Sequence, residues 1–477
     1  MHELDLRQAA FETLRRLKPG ELLEPAAFAT IRHHGADARL VQRILPMIED
    51  ATRWAILSDY LISHVATRKP EDLDDDVRAA LHLFVAWLIE DPKAGYAHGN
   101  ATVELLSQTH KGRGFLNACV RRLSELLQVG NEPAEDYAAR AKAHEAPALS
   151  ASKVRVGGGR VVTSQKPLFP SPEAEIAQHL SIAGSIPLLM AQKLLEQHGP
   201  QPATQAAIAC METPLTWLRP NPLHAGWRHI ADFWERRSVR VVKLPVGDPD
   251  EEQFALGLPA DTRVTEHPDF NGGAFYVQDY SSQLVAPMLG AKAGETILDL
   301  CAAPGGKAAH LAELTGDRAR ILACDLTEPK MERIRDNLAR MGYRSIATVQ
   351  ADATSVTFPE KFDRILIDAP CSNSGVLARR IEARHRINGE TLRELATLQL
   401  KILENATRNL KPGGVIVYNV CSILMEEGVD VLHKFMSTKT GGASREDAGW
   451  EVQQEVFTLP VPALHDGGYC VRLRSPA

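Results

Sequence analysis

Five short apolar runs in the second half of the chain constrain its fold more than any other feature. They read ETILDLCA, RILACD, SIATVQAD, FDRILIDAP and GVIVYNVC, and stretches with helical spacing separate them. Strands that recur at this interval with helices between them predict a parallel sheet with crossover helices, buried on both faces. The sequence therefore predicts a doubly wound α/β domain over residues 263–477.

The first part of the chain has a different pattern. Segments such as RQAAFETLRRL and DDVRAALHLFVAWLIED repeat apolar residues at helical spacing, which predicts an all-α bundle over residues 1–140. A stretch rich in Ala, Pro, Ser and Gly then predicts a linker over 141–171, with at most a small hairpin. Mixed helical and strand-like patterns predict a small α+β module over 172–262. A chain of 477 residues is expected to divide in this way.

Composition narrows the setting of the protein. The seven cysteines include no CxxC pair, which indicates a reducing compartment and argues against a disulfide scaffold or a zinc site, so we expect no metal. No signal segment is visible, and no apolar run reaches the roughly 18 residues that cross a bilayer, so we expect a cytoplasmic protein without membrane contact. The net charge of −6 does not favour nucleic-acid binding. Two local basic clusters, at 110–123 and 377–386, are nevertheless candidates for contacts with phosphate.

A glycine-containing loop in ILDLCAAPGGKAAHL joins the first predicted strand to a helix. Gly305 and Gly306 let the backbone approach a ligand, and the helix N-terminus offers unpaired N–H groups. Asp325 closes the next strand, where a carboxylate can hold ribose hydroxyls, and Asp352 follows the third strand, near the base. A lone Gly-Gly is more often a plain tight turn, but the two acids favour a nucleoside site. Because the GxGxxG and P-loop spacings are absent, S-adenosylmethionine is the adenosine ligand that fits.

Asp368, Cys371 and Cys421 follow the carboxyl ends of two further predicted strands, so we expect them in the crevice of the glycine loop. Methyl transfer to cytosine C5 requires a thiolate that adds to C6, a proton source near N3 and a base for the C5 proton. Lys307 is predicted to lower the pKa of the attacking thiol, and Asp368 to hydrogen-bond the N3/N4 edge. A buried small hydrophobe is the commoner role of a free cysteine. The occurrence of two Cys-Ser pairs at strand ends argues against that role here.

The motifs LDLCAAPGGKAAHL, FDRILIDAPCSNSGV, VCSILMEEG, YVQDYSSQLVA and DGGYCVRL together resemble the RNA cytosine-C5 methyltransferases. Within that family the resemblance is to the Sun/Fmu branch, which acts on 16S rRNA. The stretch HKGRGFLNACVRRL is similar to the NusB-like domain of this branch. The resemblance covers nearly the whole chain. It implies a NusB-like RNA-binding domain, a Rossmann-like methyltransferase domain, S-adenosylmethionine as cofactor and RNA, namely 16S rRNA, as partner.

The resemblance also implies roles for individual residues. The nucleophile of the family falls on Cys421, and Cys371 is the second cysteine, which helps to release the methylated base. This order is implied by the resemblance alone, since DNA cytosine methyltransferases attack with the cysteine of Pro-Cys. The positions of the family that contact the cofactor fall on Cys301, Ala302, Ala303, Pro304, Gly305, Gly306, Lys307, Asp325, Asp352 and Asp368.

Some positions depart from the family. Val420 stands where Thr is usual, Gly428 stands where Asn is common, and the segment LARRIEARHR lacks a proline. These departures concern the loops around the target base, and hence the choice of substrate, more than catalysis.

Several alternatives remain open at this point. Arg379, Arg380, Arg384 and Arg386 are candidates for contacts with RNA phosphates, although a solvated helix face is an equal reading. The substrate can instead be tRNA or another RNA. A non-catalytic RNA-binding assembly factor is a further alternative, which both thiols disfavour because a scaffold does not need them. The sequence does not determine the oligomeric state, and we favour a monomer.

Overall fold

A computed structural model describes residues 5–131, 149–246, 254–440 and 449–477. The chain forms two compact units, one of residues 1–213 with 377–388 and the other of 214–376 with 389–477. Parts of the predicted linker, of the predicted α+β module and of the two larger predicted domains lie outside the described residues. The predicted four-part division stays a prediction. No sequence pattern indicated that residues 377–388 return to the first unit.

The described part of the first unit is mainly helical. Its helices are α1 (Leu6–Arg16), α2 (Leu23–His33), α3 (Val41–Arg53), α4 (Ala55–Val65), α5 (Asp75–Glu90), α6 (Gly95–Glu104), α7 (Arg113–Leu126), α8 (Ile176–Ala183), α9 (Leu188–His198) and α10 (Pro200–Ala209). A three-stranded antiparallel sheet has the order β1 (Gln128–Asn131), β3 (Arg160–Thr163), β2 (Lys153–Arg155). The hairpin β2–β3 agrees with the prediction for the linker. The all-α prediction is wrong at β1, whose strand conformation depends on pairing with β3 far along the chain.

Helix α5 lies at the centre of the first unit. Its run from Leu81 to Ile89 is buried except for His82, and it contacts α1, α3, α4, α6 and α7. A helix that is apolar on all sides is expected to be enclosed by others. The side chain of Asp74 caps it by accepting a hydrogen bond of 3.1 Å from the N–H of Asp76.

Residues 377–388 are anchored in the first unit by a buried arginine. Arg384 has no exposed surface, and all of its hydrogen bonds go to backbone carbonyls. The acceptors are Arg53 at 2.6 Å, Ser185 at 2.8 Å, Ile381 at 2.9 Å, Leu377 at 3.2 Å and Cys210 at 3.3 Å. The prediction that Arg384 contacts RNA phosphate is therefore wrong. Arg379 and Arg380 are exposed and Arg386 is partly exposed, so for them it stays a prediction.

Replacing Arg384 with alanine is expected to lower the free energy of unfolding of the first unit by about 3 kcal/mol, because several buried carbonyls would lose their donor. Urea unfolding of the full chain, followed by circular dichroism, measures this change. The control is Arg380→Ala, which removes an exposed arginine four residues away and is expected to change stability by less than about 0.5 kcal/mol. Equal effects of the two variants would contradict the anchoring role.

The second unit contains a seven-stranded sheet in the order β10 (Ile346–Gln350), β9 (Arg320–Asp325), β8 (Thr296–Asp299), β11 (Phe362–Asp368), β12 (Leu410–Val420), β14 (Gly468–Arg474), β13 (Glu451–Thr458). The first five strands of this order are parallel and are the predicted apolar runs. The last two are antiparallel, which corrects the expectation of a wholly parallel sheet. The strand order reverses at β8, between β9 and β11, and ligands of doubly wound sheets bind at such a switch point.

Helices cover both faces of this sheet, which confirms the doubly wound prediction. On one face, α12 (Tyr280–Gln283), α13 (Val285–Leu289), α14 (Gly306–Leu314) and α15 (Glu328–Met341) are present, and residues such as Leu311 and Ile334 pack on the strands. On the other, α16 (Gly389–Asn409) and α17 (Val429–Thr440) supply residues such as Leu403 and Phe435. Burial on both faces explains why the strands are continuously apolar.

A smaller antiparallel sheet precedes the large one within the second unit. Its order is β5 (Val242–Pro245), β6 (Phe254–Leu258), β4 (Thr216–Pro220), β7 (Phe275–Val277), and α11 (Ile230–Glu235) lies in the same segment. Strands β4 and β5 lie in the stretches TPLTWLRPNPL and RVVKLPVG, within the segment where strand-like patterns were predicted. No helix among the described residues is long and apolar enough to cross a membrane.

Candidate active site

The loop between β8 and α14 is a tight turn that requires glycine. Gly305 has a φ of +100°, in the left-handed region. A Cβ on Gly306 would come within 2.8 Å of the ring of Tyr276, so the two residues pack closely only with glycine there. The N–H of Gly305 donates to the carbonyl of Ala302 at 2.6 Å, and the N–H of Ala302 donates to Cys324 on β9 at 2.8 Å. The turn is therefore held against the neighbouring strand.

Acidic residues stand at the ends of the next two strands, as predicted. Asp325 is almost fully buried and accepts hydrogen bonds from the N–H groups of Ala303 at 3.1 Å and Leu326 at 2.7 Å. It also pairs with Lys330 at 2.9 Å. Asp352, after β10, is exposed, and the N–H and hydroxyl of Thr354 donate to it and lower its pKa. Asp325 thus ties the glycine loop to β9.

Asp299, which the sequence reasoning missed, closes β8 beneath the glycine loop. It has no exposed surface, and neither of its carboxyl oxygens makes a well-formed hydrogen bond to the described residues, although the backbone of Cys301 lowers its pKa. Burial and the nearby charge of Asp368 raise its pKa to about 8. The rule that identified Asp325 and Asp368 at strand ends would also have found it. A buried acid without a partner is rare and indicates a place that a ligand can satisfy.

A short hydrogen-bonded chain links the glycine helix to the next two strands. Lys307, on the first turn of α14, pairs with Asp368 at 2.6 Å, and Asn419 donates to the other oxygen of Asp368 at 2.6 Å. Asp368 and Asn419 are opposite each other on β11 and β12. Burial lowers the pKa of Lys307, but the charges of Asp368 and Cys421 outweigh it, so the net shift is upward. The sequence reasoning identified Lys307 and Asp368 but missed Asn419.

Cys421 follows β12 directly and is partly exposed. Cys421 lines a cavity of about 520 Å³, and Ser281, Asn419 and Gly467 also line it. Burial and the charge of Asp368 raise the pKa of the thiol to about 12, although Lys307 acts in the opposite direction. Lys307 thus acts on the pKa of this thiol in the expected direction, but burial and Asp368 outweigh one nearby cation in the ligand-free protein.

The loop that carries Cys371 packs backbone to backbone on the loop that carries Cys421. The N–H of Gly375 donates to the carbonyl of Cys421 at 3.1 Å, and the N–H of Gly467 donates to the carbonyl of Gly375 at 2.8 Å. A Cβ at Gly375 would overlap the carbonyl oxygen of Gly467, so only glycine permits this approach. Cys371 is partly exposed, and burial followed by the charge of Glu427 raises the pKa of its thiol. The two cysteines thus belong to one local structure.

A salt bridge outside this crevice fixes the helix that begins at the glycine turn. Arg219, on β4, makes two hydrogen bonds to Glu313 on α14, at 2.7 and 2.8 Å, and both side chains are buried. Arg219 also donates to the carbonyl of Gly306 at 2.8 Å. Planar, bidentate pairs of this kind add geometric specificity. The small sheet therefore helps to position the first turn of α14.

The departures at Val420 and Gly428 have local consequences in the structure. Val420 is fully buried at the end of β12. A Cβ on Gly428 would lie 2.7 Å from the ring of Tyr469, so asparagine at this position would require that buried ring to move. The position of the Tyr469 ring on β14 therefore leaves room only for glycine at position 428.

The structure brings most of the predicted residues together. Hydrogen bonds join Ala303 to Asp325 and Lys307 to Asp368. The loop of Cys371 is joined to Cys421 through the N–H of Gly375. Asp352 differs, because its side chain accepts hydrogen bonds from Thr354, which is not a predicted site residue.

A doubly wound sheet with a glycine turn after its first strand, and acids closing the adjacent strands, is typical of Rossmann-like domains that bind a nucleoside cofactor, a class that includes the S-adenosylmethionine-dependent methyltransferases. The family model described as "16S rRNA methyltransferase RsmB/F" matches residues 286–474. The chain is therefore similar to the RsmB/F family over this segment, which is less than half of its length. The match confirms the resemblance predicted from the motifs, together with S-adenosylmethionine as the cofactor of the domain.

Two curated relatives are both named "Ribosomal RNA small subunit methyltransferase B". The protein from Klebsiella pneumoniae (strain 342) is 36% identical over 288 residues, which cover 59% of this chain and 64% of the relative. The protein from Serratia proteamaculans (strain 568) is 34% identical over 284 residues, again 59% of this chain and 64% of the relative. The aligned region thus spans less than two thirds of the length of either relative.

Solved structures share the fold at low sequence identity. The crystal structure of PH0851 has a TM-score of 0.69 with 22% identity and covers 99% of both chains. A methyltransferase homolog protein from Pyrococcus horikoshii has a TM-score of 0.53 with 23% identity, covering 63% of this chain and 99% of the other. NSun6 from the same organism, solved with SFG, has a TM-score of 0.51 with 20% identity, covering 60% and 97%.

Proposed function

We propose that this protein transfers a methyl group from S-adenosylmethionine to C5 of a cytosine in 16S rRNA, through a covalent bond between Cys421 and C6 of the base. The observation that supports this proposal most is the position of Cys421 at the carboxyl end of β12, lining a cavity and coupled to the pair of Lys307 and Asp368. The names of the curated relatives support a small-subunit ribosomal RNA substrate.

The residues around the glycine loop fit the cofactor. The buried, unpartnered carboxyl group of Asp299 can accept hydrogen bonds from a ligand, and the left-handed turn at Gly305 leaves no side chain in the way. We propose that the loop from Cys301 to Lys307 holds the cofactor together with Asp325 and Asp352. The bound cofactor would supply an electrophilic methyl group.

Asp368 is proposed to bind the N3/N4 edge of the cytosine. Lys307 and Asn419 each occupy one of its oxygens at 2.6 Å, which fixes the orientation of the carboxylate while leaving lone pairs available. When the sulfur of Cys421 adds to C6, its proton leaves and N3 gains one, so the ring stays neutral. Asp368, which interacts with the thiol and would contact N3, can carry that proton.

Cys371 is proposed to act after the methyl group has arrived. C5 then loses its proton to a base, and the electrons of that C–H bond form the C5–C6 double bond. The C6–S bond breaks with its electrons going to the sulfur of Cys421, and N3 returns its proton to Asp368. The loop of Cys371 is hydrogen-bonded to the backbone of Cys421 through Gly375, which keeps the second sulfur close to the first. We infer that Cys371 assists this release step.

The predicted all-α region of residues 1–140 is proposed to be a NusB-like domain that binds RNA. The exposed Arg379 and Arg380, in the segment 377–388 of the first unit, are candidates for phosphate contacts. The target base must be unpaired or extruded to reach the sheet crevice, at a cost of a few kcal/mol for unstacking. A ribosomal RNA substrate would place the enzyme in the cytoplasm.

Mass mapping of 5-methylcytosine in rRNA and tRNA, from cells with and without this protein, tests the proposal. The expected result is the loss of a 5-methylcytosine from 16S rRNA only, restored by the wild-type protein. Loss from tRNA would replace the substrate in the proposal, and an unchanged pattern in every RNA would support a non-catalytic assembly factor.

A further inference from the structure

A buried carboxylate lies between the two cysteine loops and was not among the predicted site residues. Glu427 has no exposed surface, and four donors converge on it. They are the N–H of Ser372 at 2.7 Å, the hydroxyl of Ser372 at 2.5 Å, the hydroxyl of Ser422 at 2.6 Å and the side-chain amide of Gln399 at 3.1 Å. A group surrounded by donors in this way is a hydrogen-bond acceptor, as a carboxylate is.

The two serines explain what this carboxylate connects. Ser372 follows Cys371, and Ser422 follows Cys421, so Glu427 is hydrogen-bonded to the residue next to each sulfur. A further hydrogen bond of 2.8 Å joins Ser422 to Ser374 and closes the network. The serine that follows each cysteine thus donates a hydrogen bond to the same buried carboxylate. Removing that acid would leave several buried donors unpaired and would release both loops.

The two thiols differ in the charges that surround them. At Cys371, the largest influence after burial is the negative charge of Glu427, and the pKa rises. At Cys421, burial and Asp368 raise the pKa, but Lys307 opposes them. Anions thus act on both sulfurs, but a cation that opposes them is among the main influences only at Cys421. Environments that separate two similar groups commonly separate their roles.

We propose that Glu427 is a positioning residue that ties both cysteine loops together and whose negative charge keeps Cys371 from competing with Cys421 as the nucleophile. This proposal rests on the proposed function, because that function is what makes Cys421 the nucleophile. Its physical content concerns the free protein, in which burial, with the negative charge of Glu427 added to it, keeps Cys371 as the protonated thiol. The resemblance alone assigned the order of the two cysteines, and this difference in charge supplies a physical reason for it.

The variant Glu427→Gln separates charge from packing. The glutamine oxygen can accept from Ser372 N–H and Gln399, and its NH₂ group can donate to the hydroxyls of Ser372 and Ser422, which rotate to accept. In the free protein, alkylation of Cys371 by iodoacetamide is expected to become faster by about tenfold at fixed pH, which corresponds to about one pKa unit. The alkylation profile of Cys371 should move to lower pH, whereas that of Cys421 should change by less than about threefold. Peptide mass spectrometry measures both sites.

The control is Glu426→Gln, which makes the same chemical change one residue earlier at a partly exposed position. It is expected to leave both alkylation profiles as in the wild type. Thermal melting reports whether Glu427→Gln has kept its fold. A folded Glu427→Gln variant with wild-type reactivity at Cys371 would overturn the proposal. Because alkylation needs no RNA, this outcome is distinguishable from failure of the methylation assay, which would overturn the proposed function instead.

Discussion

Replacing Cys421 with alanine is expected to reduce methyl transfer to 16S rRNA by on the order of 10⁴-fold. Without the sulfur, no covalent bond forms at C6, and C5 stays too electron-poor to take up a methyl group. Incorporation of radioactive methyl from S-adenosylmethionine into rRNA that lacks the modification measures the loss. Full activity of the variant would refute the covalent mechanism.

A matched thiol makes this experiment specific. Cys470 lies on β14, opposite Asn419, and lines the same cavity as Cys421, but its thiol is buried in the sheet. Cys470→Ala therefore removes a sulfur from the same cavity and is expected to cost less than about tenfold in rate, since the loss is one of packing. A loss as large as that of Cys421→Ala would show that the cavity, rather than the nucleophile, limits the reaction.

Replacing Cys371 with alanine is expected to trap the protein on its RNA. Addition of Cys421 and methylation can proceed, but release is slowed, so the adduct should accumulate to most of the enzyme in a single turnover. A slow-migrating band on a denaturing gel that protease removes would reveal it. The double variant lacking both thiols is the control and should show no band. Absence of the band with Cys371→Ala alone would contradict the proposed division of roles.

The positions of the site residues followed from local pattern. Each parallel strand is a continuous apolar run, and the residue that closes such a run stands at the carboxyl edge of the sheet, where Asp325 and Asp368 are found. The glycine turn was recognisable because the left-handed conformation of Gly305 requires that residue type. Asp299 obeys the same strand-end rule and was overlooked within its motif.

The sequence pattern did not predict which distant segments of the chain pair with each other. Strand β1 exists because it pairs with β3, and β14 is antiparallel because it returns to pair with β12. Arg384 looked like one more surface arginine, yet it is enclosed by carbonyls from segments that are distant in the chain. Short-range periodicity does not specify which distant segments meet.

The amino-acid order by itself determined which chemical groups this protein has and that they gather at one edge of a parallel sheet. Only the tertiary structure decided how reactive those groups are. The raised pKa of Cys421 depends on the atoms that exclude water from it, and the opposing charges of Lys307 and Glu427 reach the two thiols across space. Desolvation and electrostatic fields depend on three-dimensional distance, and sequence spacing does not measure that distance.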